Sequence, residues 1–332
     1  MTHVTAKPAS FARRVFLGLS LALLTAPAAL AWNDFGHEVA AAAAWPRLTP
    51  AVRARVGRLL ELNPDYELWT QGVPAAKREE VAFIEAAVWA DDIKNDGMHV
   101  FDGDRPQGPD ADRNLGYSDP LEHRYWHFID QPFSSDHTRL VPPARPNIET
   151  ELVALERSLH SGSASAGLKS YDLVWIEHLV GDAHQPLHAV SRFTRAQPQG
   201  DAGGNRVALC RPPCRRNLHS FWDDVLGKSR NPTAAIRYAE RLPAPDPQLA
   251  AIASPRRWLT ESERLAERYA YASPVGDGTG PYRLDAGYRR EALEVARRQI
   301  ALAGARLARV LNRDLAPGPH PLSMRYHPPQ AP

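Results

Sequence analysis

The chain has 332 residues, which is enough for one large domain or two ordinary ones with a buried core. Hydrophobic residues make up 43% of it and charged residues 23%, a composition typical of a soluble globular protein. The formal net charge of +2 excludes a strongly basic surface that coats phosphates, so any affinity for polyanions has to come from a local feature.

Residues 1–31 have the pattern of a signal peptide. Arg13 and Arg14 precede the apolar run VFLGLSLALLTAPAAL, and the small-residue pattern ALA ends at Ala31. The run is short for a membrane span, and the arginine pair makes a twin-arginine signal the second alternative. Cleavage after Ala31 removes three basic residues and no acidic one, so the net charge changes from +2 to −1. We therefore predict a secreted or periplasmic protein without stable membrane association.

Several segments predict helices in chain order. Thr49 and Pro50 provide an N-cap and a first-turn proline for TPAVRARVGRLLEL. KREEVAFIEAAVWADDIK and NIETELVALERSLH keep apolar residues three and four positions apart. SPRRWLTESERLAERYAY again opens with serine and proline, and residues 285–312 form a long helical pattern with one apolar stripe.

The remaining segments predict loops. Residues 96–120 and 194–216 are rich in Gly, Pro and Asp, and the second of them fits a hairpin. Residues 315–332 form a proline-rich tail that we predict to be disordered. Because the sequence has no series of strands, the prediction is an all-α fold, a single large helical domain with long loops over residues 32–314.

Cys210 and Cys214 are the two cysteines of the chain. In an exported protein, a disulfide that closes this small loop is the favoured interpretation. A zinc site formed by both cysteines and His219 is the second alternative, because it supplies few ligands. Two free thiols are the third.

The stretch HLVGDAHQPLH, residues 178–188, contains three histidines and an aspartate. His178 and Asp182 lie four positions apart on a predicted helix and therefore share a face. Pro186 disfavours helix at the residue before it, and the resulting turn can bring His188 back beside that face.

A second stretch, NLHSFWDD, repeats the H-x-x-x-D spacing at His219 and Asp223 on another short helix. Either pair alone is equally typical of an ion pair on a helix surface, whereas two pairs of imidazole and carboxylate together suit zinc. His184 points away from His178 by about 120° on a helix of 3.6 residues per turn, so we predict that it packs rather than binds metal.

These motifs resemble those of the zinc-dependent, single-strand-specific nucleases of the S-one/P-one type. Further motifs of that family follow in the same order: WNDFGH, VWADDIK, WHFID, DAGGN, WLTES and AGARLARVLN. The resemblance covers nearly all of Trp32 to Asn312. It implies the all-α fold that zinc nucleases share with zinc phospholipases C.

The resemblance implies a cluster of three zinc ions. Its ligands would be Asp91, His127 and His178 for one ion, the amine and carbonyl of Trp32 with His37 for a second, Asp182 as a bridge between these two, and His188, His219 and Asp223 for the third. Each residue alone has an ordinary structural explanation, and it is their joint pattern that favours a metal centre. Three divalent cations would outweigh three aspartates and leave a positive pocket in a nearly neutral protein.

The resemblance also implies a nucleobase pocket, in which Phe128 would stack on a base and Asp130 would hydrogen-bond to the base edge. Stacking contributes ~1–3 kcal/mol per base and needs a base that is free of a duplex, which implies single-stranded substrates. Lys94 would lie near the scissile phosphate, and Asn205 would orient a phosphate. The ordinary alternatives are a core phenylalanine, a solvated lysine and a turn asparagine.

The implied activity is hydrolysis of single-stranded RNA and DNA to leave 5′-phosphates, together with a 3′-nucleotidase activity. Asp91, Asp182 and Lys94 are the residues assigned to catalysis. A zinc phospholipase C is the first alternative, because it has a related fold and a similar cluster, but the HFID motif argues against it. The second is a non-enzymatic zinc-binding protein, for which flexible histidine-rich tracts are more typical.

Overall fold

The computed structural model describes residues 32–317, so the predicted signal peptide and most of the predicted tail lie outside the described residues. The α-helices of this part are α1 (Asp34–Ala44), α2 (Pro50–Leu60), α3 (Tyr66–Thr70), α4 (Arg78–Ala86), α5 (Trp89–Asp92), α6 (Ile148–His160), α7 (Ala166–Asp182), α8 (Leu218–Asp223), α9 (Pro232–Ala239), α10 (Pro247–Ala250), α11 (Pro255–Leu265) and α12 (Ala286–Asp314). Short 3₁₀ segments lie at Trp45–Arg47, Ala75–Lys77, Gly116–Ser118, Arg124–Trp126 and Pro186–Ala189, and a π-helical turn at Ala266–Ala270.

Capping residues set the starts of several helices. Thr49 Oγ1 accepts a hydrogen bond from the Val52 N–H at 3.3 Å, and Asp285 Oδ1 accepts one from the Tyr288 N–H at 2.8 Å. Asn147 forms a capping box with Thr150 at the start of α6. Each satisfies donors that the first turn of a helix leaves without a backbone partner. The predicted starts of α2 and α12 are thereby confirmed.

The segment KREEVAFIEAAVWADDIK differs from the single helix that its periodicity suggests. It forms α4 and α5, which are separated at Ala87 and Val88. The Ala87 carbonyl accepts a hydrogen bond from His178 Nδ1 at 2.8 Å. The break therefore gives a buried histidine of α7 a backbone partner, which is a tertiary requirement that local periodicity does not contain.

Two short strands join the segments that follow His127 and His188. β1 (Pro132–Phe133) pairs in parallel with β2 (Ser191–Arg192), with Pro132 opposite Ser191. The Ile129 N–H also donates to the His188 carbonyl at 2.8 Å. This pairing brings two segments more than fifty residues apart to one side of α7.

Helix α7 lies in the middle of the fold and is buried at every position from Lys169 to Asp182. Helices α1 and α12 pack closely at Gly304, where an added Cβ would lie only 2.7 Å from the Ala43 Cβ. The all-α prediction is confirmed in residues 32–317, with the β1–β2 pair as a small addition. In the same residues, every helix is too short or too polar to cross a membrane.

Candidate metal centre and substrate cavity

The predicted metal-binding side chains come from six segments and meet around the C-terminal end of α7. The segments and their side chains are α1 (His37), α5 (Asp91), the residue after Arg124–Trp126 (His127), α7 (His178 and Asp182), Pro186–Ala189 (His188) and α8 (His219 and Asp223). All eight side chains are buried. They form three groups of potential ligands, within each of which the ligand atoms lie within 4.8 Å of one another.

The first group consists of Asp91, His127 and His178. His178 Nδ1 donates to the Ala87 carbonyl, so its Nε2 carries the lone pair. That Nε2 lies 3.0 Å from His127 Nδ1 and 3.7 Å from Asp91 Oδ1. A backbone partner on one ring nitrogen fixes the tautomer and leaves the other nitrogen as a metal ligand.

The second group consists of His37, His178 and Asp182. The rings of His37 and His178 stack with their centroids 3.8 Å apart. His37 Nε2 lies 3.3 Å from Asp182 Oδ1, which is an ion-pair distance without hydrogen-bond geometry. The other oxygen of Asp182, Oδ2, lies 3.0 Å from His127 Nδ1. The two oxygens of Asp182 therefore face two different groups, as a bridging carboxylate requires.

The third group consists of His188, His219 and Asp223. His188 Nδ1 donates to the His127 carbonyl and His219 Nδ1 to the Gly203 carbonyl, both at 2.7 Å. Both Nε2 atoms consequently carry lone pairs, and they face each other at 3.2 Å. Two lone pairs this close repel unless a cation lies between them. The ligands of a tetrahedral zinc ion, each ~2.0–2.1 Å from the metal, lie about 3.3 Å apart, so the geometry fits zinc.

Buried polar atoms without hydrogen-bond partners support this fit. Those that face other ligands are His37 Nε2, Asp91 Oδ2 and Asp182 Oδ1. An unpaired polar atom in a protein interior costs stability, and a bound metal removes that cost for ligand atoms. The donor set of imidazoles and carboxylates, without thiolate, suits zinc in a site that keeps a position open for a substrate.

Burial and neighbouring charges favour the metal-binding protonation states of His127 and Asp182 but oppose that of Asp223. Burial, followed by the Lys94 ammonium, lowers the pKa of His127 to about 3, so its imidazole is neutral at neutral pH. Burial opposes ionisation of Asp182, but the neighbouring imidazoles, His178 first, hold the pKa of its carboxyl well below the usual range. Burial raises the pKa of Asp223 well above that range, so a nearby cation is needed to ionise this carboxyl.

Three residues that the sequence analysis missed position these ligands. A Cβ on Gly181 would lie 2.7 Å from His37 Nδ1, so only glycine lets that ring lie against α7. Gly203 has φ +58°, and a Cβ there would lie 2.3 Å from the Leu187 carbonyl oxygen. Gln185 Nε2 donates to Asp223 Oδ1 at 2.7 Å. The available signals were the glycine in HLVGD, which precedes the predicted ligand Asp182, and those in DAGGN, which precede the predicted site residue Asn205.

The other predicted site residues lie either beside the metal centre or around a cavity next to it. The Lys94 side chain is buried beside the first group, with its ammonium 2.5 Å from Asp91 Oδ1 and 3.5 Å from His127 Nδ1. Phe128 and Asp130 line an open cavity that Asn205 and His219 also line. The third group therefore borders the cavity.

Asn205 and Asp201 shape the loop beside the cavity. Asn205 Nδ2 donates to the Ala202 carbonyl at 2.9 Å, so this side chain stabilises its own turn as well as lining the cavity. Buried Asp201 accepts hydrogen bonds from the Arg192 and Gly204 N–H groups and from the Tyr271 hydroxyl.

The structure also bears on the predictions for the two cysteines and for His184. Cys210 and Cys214 form a disulfide, which confirms the favoured interpretation, while His219 faces His188. His184 lies outside the three groups, as predicted. Its Nδ1 donates to the Val180 carbonyl at 2.7 Å, and its Nε2 lies 2.8 Å from an Arg306 nitrogen.

The chain matches the model of a known family, described as S1/P1 Nuclease, over residues 32–316. Among curated proteins, it is 31% identical to Endonuclease 3 of Arabidopsis thaliana, over 42% of this chain and 50% of that protein. It is 29% identical to Endonuclease 4 of the same plant, over 44% of this chain and 51% of that protein. These two matches span about half the length of the relatives. Endonuclease 2 is 23% identical over 88% of this chain and 93% of that protein.

The family match extends over almost all of the described residues and includes every side chain of the three groups. The chain belongs to the S1/P1 nuclease family.

Proposed function

We propose that the protein is an endonuclease with three zinc ions that hydrolyses single-stranded RNA and DNA to 5′-phosphate products and also releases phosphate from 3′-nucleotides. The observation that carries the proposal is the position of three ligand groups around the C-terminal end of α7, with the third group at the border of a cavity lined by Phe128 and Asp130. Membership of the S1/P1 nuclease family supports the same activity. The predicted signal peptide supports secretion or export to the periplasm.

The proposed ligands are the eight side chains of the three groups together with the amine and carbonyl of Trp32. When bound, zinc would supply a water molecule of lowered pKa and would neutralise charge on the phosphate. Asp182 fixes the position of the first group relative to the second, because one of its oxygens faces each group. Lys94 provides a buried positive charge beside the first group, where it stabilises a phosphate oxygen or the leaving oxygen.

In this proposal the cavity binds the base next to the scissile phosphate. Phe128 presents a ring for stacking, and the Asp130 carboxyl accepts hydrogen bonds from the base edge. A base in a duplex would first have to leave its stack, which favours single strands. Asn205 keeps the loop in place and lines the cavity, and we assign it to a phosphate contact.

The test measures cleavage of a single-stranded DNA, a single-stranded RNA, a DNA duplex and phosphatidylcholine by the purified protein, together with its metal content. We expect cleavage of both single strands that a chelator abolishes and zinc restores, with 5′-phosphate ends and little reaction with the other two substrates. Faster hydrolysis of phosphatidylcholine would assign the site to a phospholipase C. Bound zinc without any hydrolysis would indicate a metal-storage protein.

A further inference from the structure

A hairpin beside the cavity carries an unpaired positive charge. Between Asp201 and Asp223 the chain has four arginines and no acidic residue. Arg211, Arg215 and Arg216 lie near the tip of this hairpin and are exposed. Among the hydrogen bonds and ion pairs of residues 32–317, none involves the side chains of these three arginines. Exposed arginines with no nearby carboxylate are free to bind an external anion.

The hairpin is held in a fixed position. Its two arms are joined by an isolated antiparallel bridge between Ala208 and Asn217, and the Leu209 N–H donates to the Arg216 carbonyl at 2.9 Å. The Cys210–Cys214 disulfide closes the tip. At the base, the Ala208 N–H donates to the Thr279 carbonyl at 2.8 Å, so the stem is attached to the loop before α12. A closed loop has fewer conformations to lose on binding a ligand.

The hairpin also connects the cavity to the third ligand group. Its first arm begins beside Arg206, which lines the cavity, and its second arm leads into α8, which carries His219. Since a residue spans at most about 3.6 Å, the Arg216 Cα lies within about 11 Å of the His219 Cα. By the same limit, the Arg211 Cα lies within about 18 Å of the Arg206 Cα. All three arginines are therefore within a few nucleotides of a base in the cavity.

We propose that this hairpin, residues 208–217, is a second contact surface for the substrate, at which its arginines bind phosphates of a single strand beyond the nucleotide in the cavity. The proposal rests on the nuclease activity proposed above. A guanidinium binds a phosphate through two parallel hydrogen bonds and keeps its charge at any physiological pH. Without residues 1–31 the protein has nearly no net charge, so a local cluster of this kind supplies the attraction that the whole surface lacks.

The experiment compares Arg211→Gln/Arg215→Gln/Arg216→Gln with wild type on a dinucleotide and on an unstructured 12-nucleotide DNA, over a range of salt concentrations. The control is Arg256→Gln/Arg257→Gln/Arg264→Gln, which removes the same charge from the exposed face of α11. The hairpin variant should lose roughly tenfold in kcat/KM on the 12-mer at low salt. Its log–log salt slope should be shallower by about 2, since each phosphate contact contributes about 0.7 for single strands. Dinucleotide cleavage and the control variant should match wild type.

Several results would overturn the proposal. One is an unchanged rate and salt slope on the 12-mer, and another is an equal loss in the control variant. An equal loss on the dinucleotide would show that the substitutions disturb the centre itself. If the hairpin variant loses binding to phosphatidylglycerol vesicles but cleaves the 12-mer normally, the surface contacts lipid instead. Failure of the wild type to cleave either oligonucleotide would refute the nuclease activity, which is a separate outcome.

Discussion

Among the residues of the site, Asp182 lies close to the largest number of other predicted ligands. Its Oδ2 lies 3.3 Å from His178 Nε2, and its Oδ1 lies 3.7 Å from His188 Nδ1, in addition to the approaches of His37 and His127. The carboxylate is thus the only buried anion, among the described residues of the three groups, that approaches members of all three. Replacing it should affect more than one bound ion.

We expect Asp182→Asn to lower both zinc content and kcat, because the amide keeps the volume but has a single oxygen and no charge. The matched control is Asp172→Asn, which makes the same change at another buried aspartate of α7, outside the three groups. Elemental analysis of the purified variants and a rate on a dinucleotide would show the difference. Wild-type zinc and turnover in Asp182→Asn would contradict the bridging assignment.

Asp130 gives a prediction about pH. Burial, and then the charge of Asp201, raises the pKa of the Asp130 carboxyl to about 6. Above pH 6 the ionised carboxylate accepts hydrogen bonds from two donors, as on the edge of guanine. Below pH 6 the protonated group can donate to an acceptor, as on the edge of adenine. The preference for guanine over adenine should therefore rise as the pH rises through 6.

The change should be roughly tenfold, since a hydrogen bond to a charged group contributes ~1.5–3 kcal/mol. It can be measured between pH 5 and 7.5 as the ratio of kcat/KM for two dinucleotides, one with guanine and one with adenine. The effects of pH on the metal centre cancel in this ratio. Asp130→Asn removes the titrating group and should give a ratio that is independent of pH. A ratio in the wild type that does not change with pH would show that Asp130 does not contact the base.

At the scale of elements, local signals predicted much of the fold. Thr49 and Asp285 mark helix starts because a cap satisfies backbone donors within three residues. The H-x-x-x-D spacings likewise place His178 and His219 correctly on α7 and α8. The break at Ala87 and the pairing of β1 with β2 depend on contacts between distant segments. Periodicity carries no information about them.

At Gly181, helix α7 leaves space for the ring of His37. On a buried helix, Gly→Ala usually stabilises by ~0.5–1 kcal/mol, because glycine is the more flexible residue in the unfolded chain. At Gly181 the added methyl would lie 2.7 Å from His37 Nδ1 and displace that ring. We expect Gly181→Ala to lose the zinc that we assign to His37, and most activity, while the protein remains folded.

Gly167→Ala is the matched control on the same helix, because a Cβ there meets no atom within 4 Å. It should keep the zinc content and the rate of the wild type, with an equal or higher melting temperature. Elemental analysis and thermal unfolding of both variants would distinguish the two positions. A Gly181→Ala protein with full zinc would mean that His37 has room to adjust.

At the scale of the whole molecule, the start of the described chain is fixed between α7 and α8. The Trp32 indole is fully buried and donates to the Gly181 carbonyl at 3.0 Å. The Asn33 N–H donates to the Asp223 carbonyl at 3.3 Å, and its side-chain amide donates to the Gly227 carbonyl at 2.7 Å. These bonds hold Trp32 beside residues that adjoin or belong to the second and third groups.

This placement connects export with activity if signal-peptide cleavage after Ala31 creates the amine of Trp32. A peptide nitrogen is neither basic enough nor free to bind zinc, so a chain that retains one alanine before Trp32 should bind one zinc fewer and be nearly inactive. An α-amino group has a pKa of ~7.7–8.0 and must lose its proton to bind, so zinc loading of the processed chain should weaken as pH falls. Elemental analysis of the processed and extended proteins across pH 5 to 8 tests both points. Full zinc and wild-type turnover in the extended chain would rule out the amine as a ligand.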